Sequence, residues 1–130
     1  MIDAAIYARL SADTAVAAIV GTKIYPVQAP KNAVAPWVRW QRISRVQPRD
    51  LAAIGGLIKT RIQFDCIAET YSDSRALSEA VRAAVQNWQD VAEGIEDADA
   101  ENSRDSFEPI ADKSYHIASL DFVITHQNAT

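Results

Sequence analysis

The chain has 130 residues, one cysteine, 48% hydrophobic and 23% charged residues, and a formal net charge of −4. That length suits a single domain with its own core, and a lone cysteine excludes an internal disulfide. No apolar run approaches the roughly 20 residues of a membrane-spanning helix, and net acidity argues against a general nucleic-acid binder.

The opening residues, MIDAAIYARL, lack a basic region followed by a long apolar stretch. No signal peptide is therefore expected, and the protein is expected to be soluble in a reducing cytoplasm. Ile2, Ile6 and Leu10 fall four apart, as on one helical face. Ser11 or Asp13 can cap a second helical stretch carrying Val16, Ile19 and Val20, and Gly21 supplies its stop. TKIYPVQAPKNAVAP, with Pro26, Pro30 and Pro36, reads as an extended connection touching the body through Ile24 and Tyr25. WVRWQRISRV is the first long strand, although large and charged residues are mixed on both of its faces. QPRDLAAIGG, with Pro48, Asp50, Gly55 and Gly56, reads as the tip of an extended hairpin.

From Ile58 the apolar residues alternate through Ile62, Phe64, Cys66 and Ala68, while Lys59, Arg61, Gln63 and Asp65 fall between them. This is a strand with one apolar face and one charged face. Beyond Tyr71 the spacing becomes helical through Leu77, Val81, Ala84, Val85 and Trp88. Thr70 or Ser72 can cap that helix, which is expected to run to about Asp90 with Gly94 beyond its end. GIEDADAEN alternates weakly as a strand, SRDSFEPIADK reads as loop, and SYHIASLDFVITH is the last strand, with Ala118, Leu120, Phe122 and Ile124 on one face. The predicted class is α+β: a four-stranded antiparallel sheet with a long helix and an N-terminal helical pair on one face.

The catalytic inventory is thin. His116 and His126 share a strand face but stand about 33 Å apart at strand rise, too far to share a site. No nucleophilic triad, phosphate-cradling glycine loop or paired zinc cysteines are visible. Cys66, on the apolar side of its strand, reads as a small buried hydrophobe. Asp97 to Glu108 places oxygens at the spacing of a calcium loop. However, Asn102 stands where the turn needs glycine, Arg104 where an apolar residue packs, and Pro109 where an exit helix begins, so no calcium site is predicted. Trp37, Trp40 and Tyr25 near the arginines are read as core aromatics and not as base-stacking platforms.

Charge is segregated along the chain. Arg39, Arg42, Arg45, Arg49, Lys59 and Arg61 stand against one acid, Asp50, whereas the stretch from Asp90 to Asp112 is acidic except for Arg104. The two segments are either separate solvated surfaces or a complementary contact between copies of the chain.

The order of segments is similar to that of one known family. An N-terminal helical pair leads to VGTKIYPVQAP, and a proline precedes the first strand in APWVRWQRIS. RIQFDCIAETYSDSRALSEAVRAAV then ends a strand in a Thr-Tyr step into a helix, and YHIASLDFVIT closes the chain. Over nearly its full length the chain resembles the bacteriophage tail-completion (tail terminator) family, also found in prophages and gene transfer agents. EDADAENSRDSFE is the least family-like part. The resemblance implies a small α+β protein that forms a hexameric ring on the tail tube, stops tube polymerisation and meets the head-side connector. It implies a lumen through which DNA passes without specific binding, no enzymatic activity and no cofactor. It also implies assembly in the host bacterial cytoplasm and residence in the tail of the particle. A different tube or neck subunit of related fold is the alternative, and a small calcium-binding domain a more distant one. The expected subunit interface comprises Arg39, Arg42, Arg45, Arg49, Leu51, Ile54, Leu57, Lys59 and Arg61 on one side, and Glu96, Asp97, Asp99 and Glu101 on the other.

Overall fold

Two short N-terminal helices form where the four-residue spacing places them. Helix α1 spans Ile2–Ala12, and α2 spans Thr14–Val20 in the computed structural model, which describes residues 2–30, 33–46, 57–110 and 113–127. Asp13 is the cap between them: its carboxylate accepts from the Val16 amide at 3.0 Å. Gly21 ends α2 at a φ of 62°, where a Cβ would be strained, and donates its N–H to the Ala17 carbonyl.

The sheet has five strands: β1 (Ile24–Pro26), β2 (Trp37–Val46), β3 (Leu57–Ala68), β4 (Ile95–Ile110) and β5 (Lys113–Gln127), in spatial order β1-β2-β3-β5-β4. The expected four-stranded antiparallel sheet is thus corrected to a mixed one. The stretch read as a connection at Ile24 and Tyr25 pairs parallel to β2, Ile24 with Val38 and Pro26 with Trp40. A proline is tolerated there because β1 is an edge strand with only one neighbour. The remaining neighbours are antiparallel, as expected.

The register of β3 and β5 follows the alternation. Phe64 pairs with Leu120 and Ile62 with Phe122, and all four are buried. Helix α3 (Tyr71–Val85) lies over them with Leu77, Val81, Ala84 and Val85 facing the same cluster, and Thr70 caps it by accepting from the Asp73 amide at 3.1 Å. Phe64 and Phe122 meet edge to face at 5.7 Å between ring centroids. α1 and α2 join this layer, so all three helices lie on one face of the sheet. None of them is long and apolar enough to cross a membrane.

Two boundaries differ from expectation. α3 ends at Val85, before Asp90, because the next residues bond to β4. Asn87, at a φ of 61°, donates its N–H to the Ala98 carbonyl at 2.8 Å, and the Gln86 side chain accepts from the Ala100 amide at 3.0 Å. Trp88 still reaches the core, where the Arg9 guanidinium covers its ring at 5.6 Å and Arg9 Nε donates to the Ala84 carbonyl. The second difference is β4 itself. SRDSFEPI, read as loop, continues the strand, because β5 offers its backbone along the whole length from Ile95 to Ile110.

Candidate functional site

The face of the sheet opposite the helices carries a polar lattice. Arg39, Asp65, Ser119 and Arg104 lie in one cross-strand row, with Gln41, Gln63, Asp121 and Asn102 in the next. Asp65 is the centre. Its Oδ2 accepts from Arg39 Nη2 at 2.7 Å and Nε at 3.1 Å, and its Oδ1 accepts from Ser119 Oγ at 2.7 Å and Gln63 Nε2 at 2.9 Å. Arg104 spans the neighbouring strands, donating to Asp121 at 3.2 Å and to the Gln63 carbonyl oxygen at 2.9 Å. The charged face predicted for β3 is therefore only partly wet: Lys59 is exposed, but Asp65 and Ile67 are buried. Above Ile67 the face is closed by Trp37 and Tyr115, whose rings meet at 5.5 Å.

The structure redistributes the residues expected at a subunit interface. Arg39 is bound within the chain to Asp65. Arg61, two strands away from β4, reaches across β5 to Glu101 at 3.9 Å, so part of the basic and acidic complementarity is met inside one copy. Glu96 accepts from the Gln127 side chain and Asp99 from that of Gln86. Asp97 is exposed on β4, and Arg42 and Arg45 are exposed on the far half of β2. Leu57 is half-buried at the start of β3, beside exposed Lys59. Arg49, Leu51 and Ile54 lie outside the described residues.

Sequence reasoning missed the residues of the segment it read as loop. Phe107 is 56% exposed and packs its ring 5.0 Å from His116, which also meets Tyr71. Asp105 faces α3, accepting from the Tyr71 hydroxyl at 3.4 Å and pairing with Arg75 at 3.9 Å. The alternation of Asp105 and Phe107 toward the helix side against Arg104 and Ser106 on the other was the available signal. It is faint because every residue from Glu101 to Pro109 is exposed.

The chemistry of the site is structural. Cys66 is buried, and burial together with the neighbouring Asp65 charge pushes its thiol well above the ordinary cysteine range, so it is no nucleophile. The calcium-like spacing of Asp97 to Glu108 lies in an extended strand, which spreads its oxygens over roughly 36 Å and does not close them into a ring. Among the described residues, no group of three or more histidine, cysteine or acidic side chains converges to hold a metal. His126 sits at the other end of β5 from His116, buried against Thr60.

The fold is shared with a chain from the virion of a native gene transfer agent particle. That chain matches with a TM-score of 0.72 and 18% identity over 98% of this chain and 95% of its own length. No curated protein matches. The family described as tail completion protein gp17 matches residues 4–127, nearly the whole of the fold built above. The chain belongs to that family, and with it to the structural proteins of phage tails.

Proposed function

We propose that the protein forms a ring, a hexamer by family resemblance, that caps the tail tube, ends tube polymerisation and joins the tail to the head-side connector. The family match over residues 4–127 carries this reading. A sheet backed by helices on one face and held by internal ion pairs on the other supports a rigid building block without a reaction centre. The protein then acts without enzymatic activity or cofactor. Its partners are further copies of itself, the tube protein and the connector protein. It assembles in the host cytoplasm and stays in the tail of the particle. A net charge of −4 favours passage of DNA through the lumen without specific binding.

Charge between copies is part of the proposal, with Arg42, Arg45 and Lys59 facing acids of β4. Exposed pairs contribute only about 0–1 kcal/mol each, so they set partner choice and register more than affinity. Electron microscopy of the purified protein mixed with tail tubes tests the reading. Ring density on one end of tubes of uniform length is expected. Tubes that elongate unchecked, with no added density at either end, would overturn it.

A further inference from the structure

The sheet is open at both sides, and the two open edges are of opposite charge. β1 covers only Val38 to Trp40 of β2, so Gln41 to Val46 have no strand on that side among the described residues. At the other side, β4 pairs with β5 alone. The first part of its free edge is sealed, since the Ala98 carbonyl and Ala100 amide are bonded by Asn87 and Gln86. From Glu101 to Ile110 no strand or helix bonds that edge among the described residues. Proteins normally shorten, bend or cover such edges, because a row of unpaired amides and carbonyls invites another strand. Among the described residues, six residues of β2, roughly 20 Å, and ten of β4, roughly 33 Å, have no strand beside them on that side.

Direction and charge select the partner. β2, β3, β5 and β4 alternate in direction, so β4 runs opposite to β2. A second copy placed beside the first in the same orientation would therefore set its β4 antiparallel to β2, continuing the alternation in the better-bonded geometry. The open stretch of β2 carries Arg42 and Arg45 and no acid. The stretch Glu101 to Glu108 carries three acids and one base. Exposed Ile43, Val46 and Phe107 supply apolar surface on the two sides. Pro109, which has no N–H to donate, bounds the ladder at its far end.

We propose that successive copies join by strand addition, the open half of β2 in one copy pairing antiparallel with Glu101 to Glu108 of β4 in the next. The occupant of each edge is a second copy of this chain. The contact is heterologous, one edge against a different edge, so it leaves no copy saturated until the ring closes. This inference rests on the ring reading of the previous subsection and adds the surfaces that make the ring.

Cysteine cross-linking tests it. Ser44 lies on the face away from the helices, as do Asn102, Arg104 and Ser106 in β4. Ser44→Cys is combined in one chain with Asn102→Cys, Arg104→Cys or Ser106→Cys in turn, which samples the neighbouring registers, and the protein is oxidised mildly on tail tubes. Cys66 stays in place because it is buried. At least one double variant is expected to give a covalent ladder of dimer, trimer and higher species. Each single variant should stay monomeric. Arg42→Pro, which removes an amide donor from the open half of β2, added to the cross-linking double variant, should abolish the ladder while circular dichroism keeps the monomer's signature. Rings visible on tubes with no ladder from any double variant would overturn strand addition and leave the capping reading standing. A dimer from Ser44→Cys alone would also overturn it, since that is a like-with-like contact. A ladder without any rings on tubes would support the edge pairing and sink the capping reading.

Discussion

Asp65 is the residue on which the uncovered sheet face turns. Its side chain is 2% exposed and that of Arg39 33%. Four hydrogen bonds satisfy the carboxylate, so its burial is compensated. Asp65→Ala strips Ser119 of a buried partner and leaves Arg39 uncompensated, although water reaches the guanidinium and softens the loss. We expect a cost on the order of 2–3 kcal/mol in chemical denaturation, with an unchanged m-value. A loss below half a kcal/mol would mean that the lattice is decoration. His126 makes a separate prediction. Its Nδ1 faces the Gln127 carbonyl at 3.0 Å, which can only accept, so the neutral ring carries its proton there and Nε2 accepts from Thr60 at 2.8 Å. Burial lowers its pKa, the Gln127 hydrogen bond partly offsets this, and the Arg45 charge lowers it again. The folded state therefore binds a proton less readily than the unfolded chain. Its contribution is present above about pH 6.5 and is lost as pH falls through that value toward the lower folded pKa. Melting temperature measured from pH 7.5 down to 5 should fall more steeply for the wild type than for His126→Gln. Parallel curves would sink the assignment.

At the scale of elements, the β3–β5 pair under α3 is the centre of stability. Phe64 and Phe122 are fully buried and meet ring to ring beneath Leu77 and Val81. Phe64→Ala loses both transfer energy and packing, and we expect about 3–5 kcal/mol in equilibrium unfolding. The β2 and β4 outer halves are different in kind. Their side chains are exposed on both faces, and their hold on the fold is a backbone ladder on one side only. Local opening should be easiest there. Hydrogen exchange on the free chain should show weak protection in Gln41 to Val46 and Glu101 to Ile110 compared with Ile62 to Cys66. Protection in those two stretches should rise together on assembly if the edges pair.

For the whole molecule, net acidity hides a separation of charge that becomes directional in an assembly. Arg42→Glu with Arg45→Glu should weaken ring formation on tubes, and Glu101→Lys with Glu108→Lys in the same chain should restore part of it. Weakening without restoration, equal to the sum of two independent losses, would mean that these surfaces do not meet. Restoration by reversing Asp97 and Asp99 instead would move the contact to the other end of β4, where the strand edge is sealed by Gln86 and Asn87. Because the pairs are exposed, raising salt from 50 to 500 mM should weaken assembly of the wild type in the same direction.

The sequence by itself determined what depends on local periodicity and local bonding. Alternation from Ile58 to Ala68 and from Ala118 to Ile124 states which side of each strand meets the core, and the fold buries each of those inward apolar residues. Four-residue spacing drew α1 and α3, and Asp13 and Thr70 cap α2 and α3 because a short oxygen side chain can reach the first-turn amides. The segregation of basic and acidic segments was equally visible, as was the family. Tertiary structure alone decided the strand order, the parallel β1, the early stop of α3 and the burial of Asp65, since each depends on groups distant in the chain. The clearest case is β4. Its residues from Glu101 to Pro109 have no buried face to write an apolar alternation into the sequence, so they read as loop, yet β5 holds them as strand through the backbone. Backbone hydrogen bonding is blind to side-chain type, and so the edge that we assign to assembly was the part of the fold that composition could not announce.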